Sequence, residues 1–524
     1  MKTNLVYKTF HEKYFTKICS AKWTQLLALC ASVCANLQIE AQKNRKVYKD
    51  LGSAVESLSN EGKTVEALKF VLAKTGASAL PEEHFSRADL LERLGHYQLA
   101  LAERVSGVSR GKLSAAQLSR IGELALVTDR LEPLANLSVQ LNRAGSSSNS
   151  WPVGFRAGLA ALYLRIGDFN RAAMLIPSSS DISRLSPAAA VKAYHVSAAI
   201  DFAQGRMESS LNTLQNAAGV KAFNPGLANL QRSRIFFEQG KYNQSLEELV
   251  FIPRNNTAWF SGVLTAAWSA YHLRDYNLAL GQLMTLINPY LSGKFNPEAW
   301  ILESNVLYRL CHFQSSLNTL KTLRERYQDF PAEINRFQRT YGGRFQGVSA
   351  LLSFARGQDP SQSHFSKAHW GYLADGVLSD EGMIEVDRAV MMADNSEKFI
   401  RQSLSGANSA GVKAALNFFR QNLDASKREA YRKGVKIMDR RLREMTADTE
   451  SALEGAMAIE VEINTRIRER LILGTVPKMK DIDFEAEVNK GYEFWPYQGE
   501  FWRDEAGSFV FATSDVCGSV KEGT

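Results

Sequence analysis

The 524-residue sequence has few cysteines, few prolines and no long hydrophobic run, and each shortage excludes a class of protein. Five cysteines exclude a disulfide-dense scaffold, and 13 prolines exclude a collagen-like chain. No apolar run approaches the roughly 18 residues that a membrane-spanning helix needs. Because 45% of the residues are hydrophobic, wholesale disorder is excluded as well. We therefore expect a folded protein without an integral membrane span.

Charge of one sign is also scarce. The chain has 63 Lys and Arg against 55 Asp and Glu, a net charge of +8. This excess is small for the length and is not clustered as in a nucleic-acid-binding surface, so we expect no nucleic-acid partner. Residues 1–35 hold five lysines and one glutamate, so without them the net charge falls to +4.

The N-terminal segment has the pattern of a secretory signal peptide. Its five lysines precede a short apolar stretch, residues 23–35, that ends in small residues. A basic region, an apolar stretch and a small-residue exit are typical of such signals. We predict export, with cleavage after Val33-Cys-Ala35 or, as a second choice, after Ile39-Glu-Ala41. An amphipathic N-terminal helix or an uncleaved anchor is the alternative.

Two cysteines, Cys311 and Cys517, lie outside the predicted signal peptide. In an oxidising compartment an even number of cysteines is compatible with one disulfide. Such a bond would attach the C-terminal tail to the helical body. Two unrelated buried thiols are the alternative.

A short motif recurs at nearly constant spacing through the first three hundred residues. The clear copies are Leu94-Gly-His-Tyr-Gln-Leu-Ala-Leu101, Ile166-Gly-Asp-Phe-Asn-Arg-Ala-Ala173, Gln239-Gly-Lys-Tyr-Asn-Gln-Ser-Leu246 and Leu273-Arg-Asp-Tyr-Asn-Leu-Ala-Leu280. Weaker copies contain Gly62, Gly205 and Cys311, and the faintest contains Asp129. Successive turn positions are 33, 34, 38, 38, 35, 34 and 37 residues apart.

The motif has the chemistry of a helix–turn–helix unit. A glycine or polar residue ends one helix in a tight turn, an aromatic or apolar residue follows two positions later, and a small residue allows close helix contact. Most prolines lie between the units, where a helix must not continue. A single helix pair cannot bury both faces, so the pairs must stack.

These positions resemble the tetratricopeptide repeat (TPR) over residues 45–330. The resemblance implies an all-α, TPR-like α-solenoid of about seven to eight helix pairs that binds protein partners. Together with Trp495-Pro-Tyr-Gln-Gly-Glu-Phe-Trp502, the sequence is similar to exported TPR proteins of predatory and gliding deltaproteobacteria. Some of these belong to envelope-spanning motility machines. The resemblance therefore implies a periplasmic or envelope-associated protein with protein partners in the envelope.

Three further segments follow the predicted solenoid. Residues 331–411 are predicted to be an irregular helical connector, 412–475 a long helical arm, and 476–524 an aromatic tail. The tail is expected to cap an exposed apolar face of the body, and a grip on a partner is the alternative.

The arm carries a coiled-coil-like seam with three- and four-residue spacing. The seam residues are Tyr431, Val435, Met438, Leu442, Met445, Thr449, Ala452, Ala456 and Ile459. Its partner is either a second protomer or a neighbouring helix of the same chain. Residues 427–443 hold eight basic and two acidic side chains, whereas 444–462 hold six acidic ones and no basic one. This polarity is compatible with self-association through 427–462 or with docking, and a solvated helix face is the alternative.

Motifs of catalysis and of metal or phosphate binding are missing from the sequence. It has no Gly-rich phosphate loop, nucleophile elbow, His-Glu-x-x-His or Cys-x-x-Cys. We therefore expect no enzyme, no cofactor and no metal site. The predicted function is an exported TPR scaffold for protein–protein interaction in a bacterial envelope complex, and the resemblance implies a role in motility or other envelope machinery. A peptidoglycan-acting superhelical enzyme, or its regulator, is the alternative.

Six residues are predicted to line the partner-binding groove of the solenoid. Stacked helix pairs present an extended groove, and polar or charged positions on the inner helices would select a partner. Inter-helix packing is the alternative for most of the aromatic ones. The candidates are Arg156, Tyr163, Tyr194, Arg234, Trp268 and Tyr308.

Overall fold

The computed structural model describes residues 53–75, 80–110, 114–220, 224–358, 367–404, 409–477 and 500–521. The predicted signal peptide, residues 1–35, and the aromatic residues 494–497 of the tail lie outside these ranges. Nearly all described residues are helical, which confirms the predicted all-α solenoid. None of the described helices is both long enough and apolar enough to span a membrane.

The chain divides into two compact units. The first contains residues up to Phe223 together with Met392–Ser426, and the second contains Asn224–Met391 together with Lys427–Thr524. The boundary at 223 therefore lies inside the predicted repeat region. The borders predicted for the connector and the arm stay predictions.

The first unit is built from helix pairs. Residues 53–60 are helical, and a 3₁₀ turn lies at Ser148–Ser150. The following helices are α1 Thr64–Thr75, α2 Pro81–Arg93, α3 Tyr97–Arg110, α4 Ala115–Thr128, α5 Glu132–Arg143, α6 Val153–Arg165, α7 Phe169–Leu175, α8 Ser179–Ile182, α9 Pro187–Ala203 and α10 Met207–Ala217. Proline begins α2 and α9, where its missing N–H costs no helical hydrogen bond.

The second unit continues the same architecture. Its pairs and the helices after them are α11 Pro225–Glu238, α12 Tyr242–Val250, α13 Trp259–His272, α14 Tyr276–Leu286, α15 Pro297–Arg309, α16 Phe313–Tyr327, α17 Phe330–Tyr341, α18 Phe345–Ala355 and α19 Lys367–Leu378. Helices α20 Glu381–Phe399 and α21 Ala410–Leu473 each have residues in both units, and the π turn at Ile400–Leu404 belongs to the first. Helix α21 confirms the predicted long helix. Short 3₁₀ turns lie at Pro289–Leu291 and Arg503–Glu505, and strands β1 Thr475–Pro477 and β2 Ser519–Lys521 pair antiparallel.

The turn between the two helices of each pair has a left-handed residue in all eight copies of the motif. The φ values are +76° at Gly62, +80° at Gly95, +57° at Asp129, +80° at Gly167, +75° at Gly205, +72° at Gly240, +62° at Arg274 and +61° at Cys311. Even the faintest copy, at Asp129, therefore has the turn that the motif predicts. Gly343, with φ +67°, joins α17 to α18 in the same way, so helix pairs continue beyond residue 330.

Replacement of Arg274 by glycine tests the cost of a side chain at this turn. Arg274 has a Cβ in the left-handed region, which costs non-glycine residues roughly 1–2 kcal/mol. We expect Arg274→Gly to raise the free energy of unfolding by up to about 1 kcal/mol in urea denaturation, because glycine also loses more backbone entropy. The neighbouring residue Leu273 has a right-handed backbone conformation, so Leu273→Gly should lower the free energy of unfolding by about 1 kcal/mol. A loss of stability in Arg274→Gly equal to that of the control would contradict the expectation.

The core of the first unit includes the start of the long helix. Phe419 is fully buried in the same apolar cluster as Leu91 and Phe155 of the helix pairs. The ring of Phe418 lies 6.5 Å from that of His84, and the ring of Phe399 lies 4.1 Å from that of His96. The other residues of α21 in this cluster are Val412, Ala415, Leu416 and Leu423. Residues 410–426 are therefore an integral part of the first unit.

The predicted seam of α21 is buried against helices of the same chain in the second unit. Met438, Leu442 and Met445 have no exposed surface. Gly347 of α18 leaves room for Met438, and Gly376 of α19 leaves room for Met445, because a Cβ at either glycine would approach the methionine to 3.0 Å or less. The partner of this seam is therefore formed by neighbouring helices of the same chain and not by a second protomer.

Candidate partner-binding surface

The first helices of the pairs in the second unit form a continuous wall. Helix α11 contacts α13, and α13 contacts α15, in addition to the contacts within each pair. We call the outward side of these three helices the first-helix face. Arg234 of α11, Trp268 of α13 and Tyr308 of α15, three of the predicted groove residues, belong to these helices.

The structure brings Arg234 and Trp268 together around a glutamate that the sequence analysis did not select. The indole Nε1–H of Trp268 donates to Glu298 Oε1 at 2.7 Å. Glu298 lies in the first turn of α15, where the helix dipole favours a carboxylate. The charges of Glu381 and Glu298 act on the Arg234 guanidinium. Arg234 and Glu298 both reach solvent, so this group is open to a ligand.

The surrounding helices shift the pKa of both charged groups. Burial among them lowers the pKa of Arg234, an effect that the carboxylates of Glu381 and Glu298 oppose. Burial also raises the pKa of Glu298, where the hydrogen bond from Trp268 opposes the shift and the charge of Asp448 adds to it. The carboxylates of Glu298 and Glu381 thus attract the Arg234 guanidinium, and the Asp448 carboxylate repels that of Glu298. A positively charged group of a ligand would relieve this repulsion.

Aromatic rings hold Trp268 in place. Its ring centroid lies 5.8 Å from that of Tyr271 in an edge arrangement and 6.1 Å from that of His272. His272 in turn stacks on Tyr242 at 4.7 Å. Burial lowers the pKa of His272, so this imidazole is neutral at pH 7. The Tyr271 hydroxyl also forms a hydrogen bond that raises the pKa of Arg309. The indole is therefore pre-oriented on a rigid wall.

Tyr308 faces the chain's own long helix. Its hydroxyl donates to Glu462 Oε2 at 3.4 Å, and a hydrogen bond with Tyr308 raises the pKa of Arg466. About two turns before Glu462, Gly455 of α21 lies against Ile301 of α15. Residues 455–466 of α21 thus cover the part of the first-helix face around Ile301 and Tyr308.

The three candidates in the first unit each have a partner within that unit. Arg156 pairs with Asp181 at 3.8 Å, and the Tyr163 ring has the Arg171 guanidinium 5.6 Å from its centroid. Tyr194 is 3% exposed. Its hydroxyl donates to the Ser179 carbonyl at 3.0 Å. Because the Tyr194 ring does not reach the surface, its position fits inter-helix packing, which was the alternative to a role in the groove.

Glu303 of α15 is a buried carboxyl without full hydrogen bonding. Its Oε2 is buried and has no hydrogen-bond partner in the described part of the chain. Burial raises the pKa of Glu303 to about 7, and a hydrogen bond with Thr319 lowers this pKa in part. The side chain is therefore half protonated near neutral pH. It makes the stability of the second unit dependent on pH.

The sign of this dependence follows from the raised pKa. As pH rises above about 4.3, the unfolded chain releases the Glu303 proton while the folded chain keeps it, so the free energy of unfolding falls until about pH 7. We expect Glu303→Gln to be more stable than the unchanged protein by about 2 kcal/mol at pH 8, with allowance for solvent screening, and equally stable at pH 4. Urea denaturation at both pH values measures this. The exposed Glu325→Gln serves as control, and equal differences at pH 4 and pH 8 would refute the assignment to Glu303.

The structure joins Cys311 and Cys517 in a disulfide, with the two Cα atoms 5.0 Å apart. Cys311 is the left-handed residue of the turn between α15 and α16. Next to it, His312 Nε2 and the Ser514 carbonyl oxygen are 2.8 Å apart, and Val516 donates its N–H to the Leu310 carbonyl at 3.1 Å. The tail is thus attached at this turn by a covalent bond and by hydrogen bonds.

The described tail caps the second unit along α14. Gly507 N–H donates to Thr285 Oγ1 at 2.8 Å, and Phe511 N–H donates to the Asn277 carbonyl at 3.1 Å. Between these points the Phe509 carbonyl approaches Gly281 so closely that a Cβ there would be 1.8 Å away. Phe509 itself is buried. Capping of the body, the expected role of the tail, fits these contacts.

Glu298, Glu381 and Asp448, whose charges act within the group of Arg234 and Trp268, could not be predicted from the sequence pattern. Carboxylates are frequent in helical chains, and these three lie on three helices far apart in sequence. The one available signal was the Asn-Pro-Glu start of α15, which places a carboxylate in a first turn. Within the residues that the structure describes, no group of three or more His, Cys, Asp or Glu side chains could hold a metal ion.

Comparisons with known proteins find similarity among solved structures. No protein-family model matches the sequence, and no curated protein does either. Among solved structures, the chain is similar to the crystal structure of the P58(IPK) TPR domain, with 13% identity over 72% of this chain and 99% of that one, and a TM-score of 0.22. The TPR-like fold of the present chain rests on its own helix pairs and their left-handed turns.

Proposed function

We propose that this chain is an exported TPR-like scaffold that binds a protein segment on the first-helix face of its second unit. The observation that carries the proposal is the group of Arg234, Trp268 and Glu298. It combines a pre-oriented indole with charged side chains that reach solvent on a rigid wall. Tryptophan and arginine are the residues that most often dominate protein–protein binding energy.

The charge of this group indicates the chemistry of the segment. The Glu298 carboxylate reaches solvent beside the Trp268 indole, and the charge of Asp448 acts on it. A segment with a lysine or arginine beside an apolar residue would complement the carboxylates and pack on Trp268. Such a contact would be weakened by salt, because part of it is electrostatic.

Location in the periplasm or envelope is the second part of the proposal. It is supported by the basic and apolar pattern of residues 1–35 and by the Cys311–Cys517 disulfide, since disulfides persist in oxidising compartments. Membership of an envelope complex, and a role in motility or related machinery, follow from the resemblance to exported deltaproteobacterial TPR proteins alone. As a scaffold, the purified chain should release no product from peptidoglycan.

Site-specific photo-crosslinking in cells tests the binding surface. A photoreactive amino acid replaces Arg234 in one strain and Glu247, an exposed residue of the second helix α12, in a control strain. We expect a discrete adduct from position 234 only, with an envelope protein as the other component. The same adduct should disappear when Trp268→Ala is added.

Two results would contradict the proposal. Equal adducts from positions 234 and 247 would show that the first-helix face has no special role. An adduct with cytoplasmic proteins alone would overturn the export part and leave the binding surface intact, so the two parts fail separately. Fractionation of the cells, with a thiol-labelling assay of Cys311 and Cys517, gives an independent measure of location.

A further inference from the structure

The long helix has a second seam on its outer side, distinct from the buried one. Its positions follow one another at intervals of three and four residues between 440 and 461, and this spacing is typical of a coiled-coil contact. Met457 and Val461 are 55% and 65% exposed, although they are apolar. We call this set the outer seam: Arg440, Arg443, Ala447, Glu450, Glu454, Met457 and Val461.

Charged side chains of the outer seam are available for a partner. Arg443, Glu450 and Glu454 are exposed, and none of them forms an ion pair with any residue that the structure describes. Basic residues lie at the N-terminal end of the seam and acidic ones beyond Ala447. A helix of this kind matches a copy of itself that runs in the opposite direction, because each basic end then faces an acidic one.

We propose that two copies of the chain pair antiparallel through the outer seam of α21. In the register that aligns the two patterns, Arg443 lies opposite Glu454 of the second copy, and Glu454 opposite its Arg443. Ala447, which is small, lies opposite Glu450 near the two-fold axis, so the two backbones can approach closely. Met457 packs on the aliphatic part of Arg440 from the second copy.

The contact has the features of a weak and reversible association. One helix from each copy is a small interface, and exposed ion pairs contribute modestly and are screened by salt. We expect a dissociation constant on the order of micromolar or weaker at low ionic strength, rising with added salt. Self-association thus uses the outer seam, since the seam around Met438 is already filled by the chain's own helices.

A charge-swap series tests the pairing and its register by sedimentation analysis of the full mature chain. In a symmetric dimer the contact between residues 443 and 454 occurs twice, so Arg443→Glu or Glu454→Arg alone places like charges opposite each other at both contacts. Either variant should raise the dissociation constant of the dimer about tenfold or more. The double variant restores opposite charges and should recover dimerisation. Arg432→Glu is the matched control, because it makes the same charge change on the same helix opposite Thr465 and should leave the dimer unchanged.

The side chains in this series are exposed, so folding should not change. Circular dichroism and thermal melting of each variant check this. A chain that stays monomeric at the highest concentration and lowest salt would overturn the proposal. So would a dimer that persists in both single variants, or a double variant that fails to recover, since the contact would then lie elsewhere.

Discussion

Replacement of Cys311 and Cys517 by serine is expected to lower the free energy of unfolding by about 5 kcal/mol in the chain-entropy model. The disulfide joins residues that are 206 positions apart. Its loss therefore increases the conformational entropy of the unfolded chain, because a long loop is no longer closed. The loop contains α16 to α21, and the bond therefore ties most of the second unit together. Urea denaturation under oxidising conditions, compared with the unchanged protein, measures the loss.

Single replacements provide the control for this prediction. Cys311→Ser and Cys517→Ser each break the same bond, so each should lose as much stability as the double variant. Reductant should have the same effect on the unchanged protein and none on the double variant. Free thiols at both Cys311 and Cys517 by mass spectrometry of the unreduced protein, together with no difference in stability, would contradict the pairing.

Release of the tail should accompany the loss of the bond. The hydrogen bonds of Gly507 and Phe511 to α14 remain, but without the disulfide the tail loses its covalent attachment to the turn at Cys311. Limited proteolysis should therefore cleave the tail faster in reductant. Cleavage at an unchanged rate would mean that the contacts along α14 suffice to hold the tail.

Phe419→Ala is expected to lower the free energy of unfolding of the first unit by about 4 kcal/mol. The ring is fully buried among residues of the helix pairs, and its removal combines lost burial with an unfilled cavity. A free helical arm would tolerate the change, since nothing would pack on it. The exposed Arg420→Ala on the same helix should change stability by less than about 0.5 kcal/mol.

Hydrogen exchange locates the effect of Phe419→Ala. Because residues 392–426 share the core of the first unit, amides of α2 and α4 should lose protection together with those of residues 410–426. Loss of protection confined to α21, or no loss of stability, would show that this helix is not part of the unit.

The repeat turns could be predicted from sequence because their chemistry is local. Glycine at Gly95 or Gly167 indicates a left-handed residue without any knowledge of the rest of the chain. At Arg274 the flanking motif residues indicate the turn although the turn residue has a side chain, and at Asp129, the faintest copy, the nearly constant spacing does so. The fold class and the long helix followed from these turns and from apolar spacing.

The binding surface could be predicted only in part. Arg234 and Trp268 were selected from their places on first helices, whereas Glu298, Glu381 and Asp448 meet them through tertiary packing that no spacing encodes. Tyr308 was selected by the same rule, but the long helix covers its surroundings. The sequence does not show the partner of the seam around Met438, because apolar spacing indicates which side of a helix is buried and not which element covers it.

Affinity of the crosslinked partner for purified variants tests the proposed binding surface most directly. Once photo-crosslinking at position 234 has identified the partner, its binding to the mature chain is measured with Trp268→Ala and with Phe251→Ala, an aromatic control that is 69% exposed and follows α12. If the first-helix face is the binding surface, Trp268→Ala weakens binding about 30-fold and the control leaves it unchanged. Equal affinities for both variants would contradict it.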